Sequence, residues 1–330
     1  MNNRPILLGI VGDSAAGKST ITAGLAAVLG ANCVTHVCTD DYHKYDRKER
    51  AACGVTPLNP DCNYIDVLEQ HIQRLYLGQP ILKPVYDHST GTLVRPEYVM
   101  PHQFVIVEGL LGFSTPTLRQ FYDVKVFLSP PEELRKVWKI KRDTAKRGYT
   151  TRQVLAELAR READSVNFIR PQRQYADIAV RFYPPAAVAP RTTGANLNVQ
   201  LVLRPTIPHP DLSYLVKEDD TSGTGIRLLL GRDEGRPVDF LEIDGDVASQ
   251  HAGELEDAIW QHLPDLRPVS DDQFGGYADR SEMRHSPPLA LTQLLIAYHL
   301  LRKFNDLSQR SPQLARAHWP PLSKAVMGVL

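Results

Sequence analysis

Residues 40–47, DDYHKYDR, set three acids, a histidine, two tyrosines and two basic side chains in one unbroken run. They directly follow CVTHVCT (Cys33–Thr39), which reads as a short strand. A carboxylate here could orient a hydroxyl and accept its proton, a task open to Asp40 or Asp41. His43 and Arg47 would then grip an anionic or polyol acceptor. A solvated turn rich in Asp is the plain alternative.

The question becomes what reacts with that hydroxyl. GDSAAGKST, residues 12–20, carries Gly12-x-x-x-x-Gly17-Lys18-Ser19, the full P-loop pattern, between a strand-like run and a helix-like one. Its backbone N–H groups, from Gly12, Asp13, Ser14, Ala15, Ala16 and Gly17 on to Thr20, could close around phosphate oxygens at a helix N-terminus. Lys18 would supply a mobile charge to the β- and γ-phosphates, and the Ser19 hydroxyl a ligand for Mg²⁺. The pattern therefore predicts a nucleoside triphosphate with Mg²⁺. Glu108 ends the apolar run FVIVEG (Phe104–Gly109), where such folds hold the metal shell; Asp40 is a second candidate for it.

Two further constellations join these. In RKVWKIKRDTAKRG, helical spacing puts Arg135, Lys139, Arg142 and Lys146 in one stripe, with Asp143 beside it. A solvated face is the ordinary reading of such a run. A site that transfers phosphate needs cations over the transferred charge, so the expectation is a lid hinged near Arg147-Gly148. KPVYDHSTG (Lys83–Gly91) brings Tyr86, Asp87 and His88 between two extended segments, which alone would be a hairpin without function.

Elements that could position these residues are legible. PILLGIVG (Pro5–Gly12), Cys33–Thr39, Phe104–Gly109, VKVFLS (Val124–Ser129) and DIAVRFYP (Asp177–Pro184) read as five strands. Helical patterns over Lys18–Gly30, Ile65–Gln79, the basic run and TTRQVLAELARRE separate them. Strands alternating with helices predict an α/β fold of P-loop NTPase type, a mostly parallel sheet flanked by helices. The Pro/Ala/Thr-rich stretch Tyr183–Asn196 predicts a boundary, giving a kinase core over 1–185 and an extension over 186–330. That extension shows strand-like runs LNVQLVL, GIRLLLG and VDFLEIDG and a long helix over Pro288–Asp306.

The totals narrow the partners. The 330 residues carry 38 Lys+Arg against 38 Asp+Glu, so nothing in bulk charge draws the chain to nucleic acid or to anionic membrane. No apolar run reaches membrane-spanning length and the first residues lack a signal pattern, so a soluble, cytoplasmic protein is expected. Cys33, Cys38, Cys53 and Cys62 form no CxxC pair and read as reduced thiols.

GDSAAGKST, DDYHKYDRKER, KPVYDHSTG, VIVEGL, WKIKRDTAKRG and RPQRQYAD occur in that order. Together they resemble the phosphoribulokinase family, within the larger phosphoribulokinase/uridine kinase group. The resemblance is dense over 5–183, and GIRLLLGRDEGRPVDFLEIDGDV is similar to the C-terminal strands of the plant, cyanobacterial and archaeal type. It implies Asp40 as catalytic base and Glu108 as the acid of the metal site. It implies sugar-phosphate contacts from His43, Arg47, Tyr86 and His88. It implies charge stabilisation and phosphate binding by Lys139, Arg142, Asp143 and Arg147. The activity implied is transfer of the γ-phosphoryl of ATP to the 1-hydroxyl of ribulose 5-phosphate, in carbon fixation or another pentose route. A homodimer is implied too, and light scattering would test it. The chain departs from the light-regulated plant forms at Ala15-Ala16, where they have an SGCGKS loop, and has no cysteine after residue 62 to build their C-terminal disulfide. Tyr149 stands where the plant type has His, and resembles the other bacterial type.

Two other readings compete. One is a uridine-kinase-like or other small-alcohol kinase on the same scaffold, which needs no grip on a second phosphate. The other is a nucleotide-binding regulator without catalysis, which should have lost Asp40 or Glu108; both are present.

Overall fold

The computed structural model describes residues 4–185, 196–213, 224–262, 274–279 and 282–309. The boundary read at 183–196 lies mostly outside these residues, as do the last 20 residues and the side chain of Lys146.

Strand β1 (Ile6–Gly12) runs into helix α1 (Lys18–Leu29), and β2 (Val34–Cys38) follows. A 3-10 turn over Thr39–Tyr42 leads to the short helix α2 (Arg47–Cys53) and then to α3 (Ile65–Tyr76). A hairpin of β3 (Ile81–Asp87) and β4 (Thr92–Val99) precedes β5 (Phe104–Gly109), α4 (Pro116–Arg119) and β6 (Val124–Leu128). Next come α5 (Glu132–Arg147), α6 (Thr151–Asp164) and β7 (Ile178–Tyr183). Beyond lie β8 (Asn198–Leu203), β9 (Ile226–Asp233), β10 (Arg236–Ile243) and α7 (Ser249–Gln261). A small hairpin, β11 (Gly276–Asp279) with β12 (Glu282–His285), precedes the long helix α8 (Pro287–Gln309).

Eight strands form one sheet in the order β2-β5-β1-β6-β7-β8-β10-β9. The first five are parallel and the last three antiparallel to their neighbours, so the C-terminal strands continue the sheet of the core. Every residue of β1 and β5 is buried, as expected of parallel strands covered on both faces. Alternation divides β1 between two cores: Ile6, Leu8 and Ile10 pack beneath α1 and α8, while Leu7 and Val11 pack beneath α3. β2 and β6 leave β1 in opposite directions across the sheet. This is the switch point beyond which open α/β sheets bind ligands, and β1, β2 and β5 all end there.

α8 is buried on nearly every face from Leu289 to Leu301, so its apolar surround is a core feature. It approaches α1 so closely that a Cβ on Gly24 would stand 2.1 Å from the Gln293 amide. No helix among the described residues is long and apolar enough to cross a membrane.

Candidate active site

The phosphate loop follows from its glycines. A Cβ on Gly12 would meet the Leu128 carbonyl oxygen at 2.6 Å, and Gly17 sits at φ +96°, so both positions favour glycine. Lys18 lies over the loop and donates to the carbonyls of Gly12 (2.8 Å) and Asp13 (3.0 Å). Asp13 accepts from Ser165 and faces Arg135 at 3.4 Å, which anchors the loop from outside. Ser19 opens α1 and donates to Glu108 Oε1 at 3.1 Å. Thr22, one turn on, donates to Oε2 at 3.1 Å, and His36 Nε2 stands 3.1 Å from Oε1. Glu108 is only 6% exposed. Burial pushes its carboxyl up, but His36, Lys18 and Ser19 outweigh this and hold it below the usual range.

The three acids of residues 40–47 part company. Asp46 caps α2, accepting from the backbone of Lys48 and Glu49, while Glu49 accepts from the Asp46 backbone; this is a capping box. Asp41 is buried, paired with Lys83 and accepting from the Tyr86 backbone N–H at 2.9 Å, so it fastens β3 to the end of β2. Asp40 alone lines the cleft. Burial pushes its carboxyl up, and the positive groups around it, His43 first and then Lys18, His88 and Arg142, prevail and hold it low. Burial drives His43 itself to about 4, so at neutral pH Lys18 and Arg142 carry that effect.

Around Asp40 stands a cationic, aromatic wall. His43 hydrogen-bonds Asn63 at 2.7 Å and meets the Tyr86 ring edge-on, with centroids 5.0 Å apart. Tyr86 in turn meets His88 at 5.1 Å. Arg47 donates to the His88 carbonyl at 2.6 Å, and Arg50 donates to the Tyr86 hydroxyl. From the other side α5 docks on the phosphate loop. Lys139, 2% exposed, donates to Asp143 at 3.0 Å and reaches Ser14 Oγ at 3.5 Å. Arg142 donates to Asp143 at 2.8 Å and to Ser14 Oγ at 3.3 Å, and Arg147 lies 3.6 Å from Asp143. The Asp143 carboxyl is thus ringed by cations. Burial would raise it, but Arg142 and Lys139 bring it down to about 2. Arg135 and Lys139 of the basic stripe are therefore buried and, with the half-buried Arg142, clamp Ser14, where the ordinary reading of such a run is a solvated face. Phosphate loop, Asp40, Glu108 and the acceptor wall line one cleft of about 670 Å³.

The chain was compared with known proteins against this geometry. A sequence profile of the Phosphoribulokinase / Uridine kinase family matches residues 7–189. The chain belongs to that family. It is a phosphotransferase with an alcohol acceptor. It is similar to a phosphoribulokinase from Synechocystis sp., 37% identical over 257 residues, or 74% of this chain and 77% of that protein. It is similar to a uridine kinase from Chloroflexus aurantiacus, 31% identical over 184 residues, or 54% of this chain and 87% of that one. The fold is similar to that of phosphoribulokinase from Rhodobacter spheroides, with TM-score 0.55 at 20% identity, covering 80% of this chain and 96% of the other.

Several residues in this family member's cleft or behind its Glu108 were not singled out from the sequence. Thr22 could have been, because it lies three residues after Ser19 on one helix face. His36 and Arg50 could not, since each gains its partner only through tertiary packing. The donors suit Mg-ATP: glycines leave room for phosphates, and Ser19 with Glu108 offers hard oxygen ligands. Among the described residues no group of three or more His, Cys, Asp or Glu forms a protein cage for a metal. An ion held partly by substrate phosphates needs none.

The clamp has a testable pH signature. Burial, with Arg161 nearby, lowers the Lys139 ammonium to about 8, so the charge is present at neutral pH and is lost as pH rises through 8. We expect kcat/KM to fall above about pH 8, and Lys139→Arg to move that fall to higher pH, since a guanidinium stays charged. An unchanged basic limb in the Arg variant would remove Lys139 from the charge-bearing role.

Proposed function

We propose that this protein transfers the γ-phosphoryl group of Mg-ATP to the 1-hydroxyl of D-ribulose 5-phosphate, giving D-ribulose 1,5-bisphosphate and ADP. The observation that carries the reading is the cation count on the acceptor side. Arg47, Arg50 and Arg147 line the cleft in addition to Lys18 of the phosphate loop and Arg142 of the clamp. A nucleoside acceptor has no anion to engage that second set, whereas a sugar phosphate brings a dianion.

In this reading Asp40 orients the 1-hydroxyl and takes its proton as the new O–P bond forms and the bond to the bridging oxygen of ADP breaks. Lys18 and Arg142 neutralise charge on the transferred group. Asp143 acts through Lys139 and Arg142, holding both toward Ser14. Tyr86 and His88, with His43, shape the sugar site, and Arg47 and Arg147 grip its phosphate. Ser19 and Glu108 would hold Mg²⁺, which when bound neutralises phosphate charge.

The proposal extends to organisation. A kinase core over 1–185 is continued by the extension over 186–330, and β9 ends the sheet as an open edge with Leu229 and Leu230 exposed. Such an edge suits pairing with a second copy, the homodimer expected from the family. The test of function is product identification: Mg-ATP with ribulose 5-phosphate should yield the bisphosphate, and uridine under the same conditions should give less than about a hundredth of that rate. Preference for uridine would overturn the assignment.

A further inference from the structure

The cleft does not stop at the phosphate loop. It continues past Thr20 and Ile21 in the first turn of α1 to Phe182, Leu197 and Tyr277. A triphosphate on a P-loop has its γ end at Lys18, so its nucleoside lies toward the opposite end of the cleft from Asp40. That end is lined by Tyr277, Ala278 and Asp279 of β11, which lies beyond residue 189 and outside the span of the family profile.

Two ties fix the hairpin to α1 and α5. The first is Gln293 of α8, with no exposed surface. Its Nε2 donates to the Thr20 carbonyl at 3.0 Å, and its Oε1 accepts from the Gly275 N–H at 2.8 Å, so one buried amide joins the phosphate helix to the root of β11. The absence of a Cβ at Gly24 makes room for it. The second tie is an ion pair from Lys141 of α5 to Asp279 at the end of β11, with Arg284 of β12 behind it at 3.5 Å. Lys141 is next to Arg142 in the chain, so the same helix that clamps Ser14 is fastened to the hairpin.

We propose that the β11–β12 hairpin is the nucleoside-side wall of the ATP cleft, with Tyr277 as its recognition residue and Asp279 as a positioning residue that latches α5 across the nucleotide through Lys141. The family's phosphate loop and clamp then hold the phosphates, while the C-terminal extension selects and encloses the nucleoside. This rests on the nucleotide half of the functional reading and not on the identity of the acceptor.

The test is calorimetric titration of MgADP into the full-length chain without acceptor, alongside kinetics and thermal melting. Asp279→Asn and Lys141→Met should each weaken MgADP about five- to tenfold, the range for a partly exposed charge pair that also orders a helix. The KM for MgATP should rise in step, and the KM for the sugar phosphate should move less than about twofold. The double variant Lys141→Met/Asp279→Asn should weaken MgADP no more than about twofold beyond either single variant, a non-additivity that only a direct partnership gives. Tyr277→Ala should weaken MgADP while leaving Mg-tripolyphosphate binding unchanged. The proposal falls if the single variants melt normally and bind MgADP like the parent chain. It also falls if the two single effects add in full in the double variant, or if Tyr277→Ala weakens both probes equally. Should a single variant melt early, the charge-keeping Asp279→Glu gives the decision, because latch function predicts near-parental MgADP binding and loss of it would refute the latch.

Discussion

Asp40→Asn is expected to lower kcat by roughly 10³–10⁴-fold while MgADP affinity changes by less than about threefold. The amide keeps the shape of the side chain and can still orient a hydroxyl, but it cannot take the proton. The carboxyl is held below its usual range, so in the parent chain it is ionised across the neutral range and ready as acceptor. Asp41→Asn should behave differently although it is the next residue. Its carboxylate is buried against Lys83 and the Tyr86 N–H, and removing one partner of such a pair costs about 3–5 kcal/mol. The loss should therefore be seen in the urea midpoint first, with activity following stability. If Asp40→Asn kept more than about a tenth of the parent kcat, proton transfer by that residue would be refuted.

That pair shows where reading from sequence stops. Two adjacent acids after a strand are equivalent on paper; the backbone turn over Thr39–Tyr42 decides which faces the cleft. The parallel core was legible because β1 and β5 are buried on both faces and leave unbroken apolar runs. α2 was missed because RKERAAC has no apolar period, although Asp46 and Glu49 carry its capping signal. β11 and β12, GYAD and EMRH, are four residues each and rich in charge, so no periodicity can announce them. The P-loop residues stood out by spacing and Glu108 by its place at the end of an apolar run, and the structure brings Ser19 and Glu108 into hydrogen-bond contact. The burial of Lys139 and Arg135 was not, because it depends on α5 lying against Ser14 and Asp13, more than a hundred residues away in the chain. Local pattern conveys which elements form, whereas the depth of a charged side chain is set by partners that pattern does not name.

Glu108→Gln should lower kcat by roughly 10²–10³-fold and raise the half-saturating Mg²⁺ concentration by about tenfold or more. Keeping this carboxylate ionised while buried carries a desolvation cost that its partners must offset. Ser19 and Thr22 of α1 donate one hydrogen bond to each oxygen and His36 of β2 stands beside Oε1, so the charge is held in place by three side chains from two elements. An acid serving structure alone would be satisfied by those partners, and its amide would be tolerated with little change in the cation requirement. An acid that helps hold a divalent ion at the γ end of the nucleotide loses its purpose when the charge goes, even though the amide can still accept from Ser19. The variant should melt close to the parent chain in the absence of Mg²⁺, since the desolvation penalty of the carboxylate is removed together with its ion pairing. Glu108→Asp, which keeps the charge but shortens the reach, should fall between the two. Parental Mg²⁺ dependence in the Gln variant would leave Glu108 as a fastening for the start of α1 and send the search for the metal-side acid back to Asp40, which lines the same cleft.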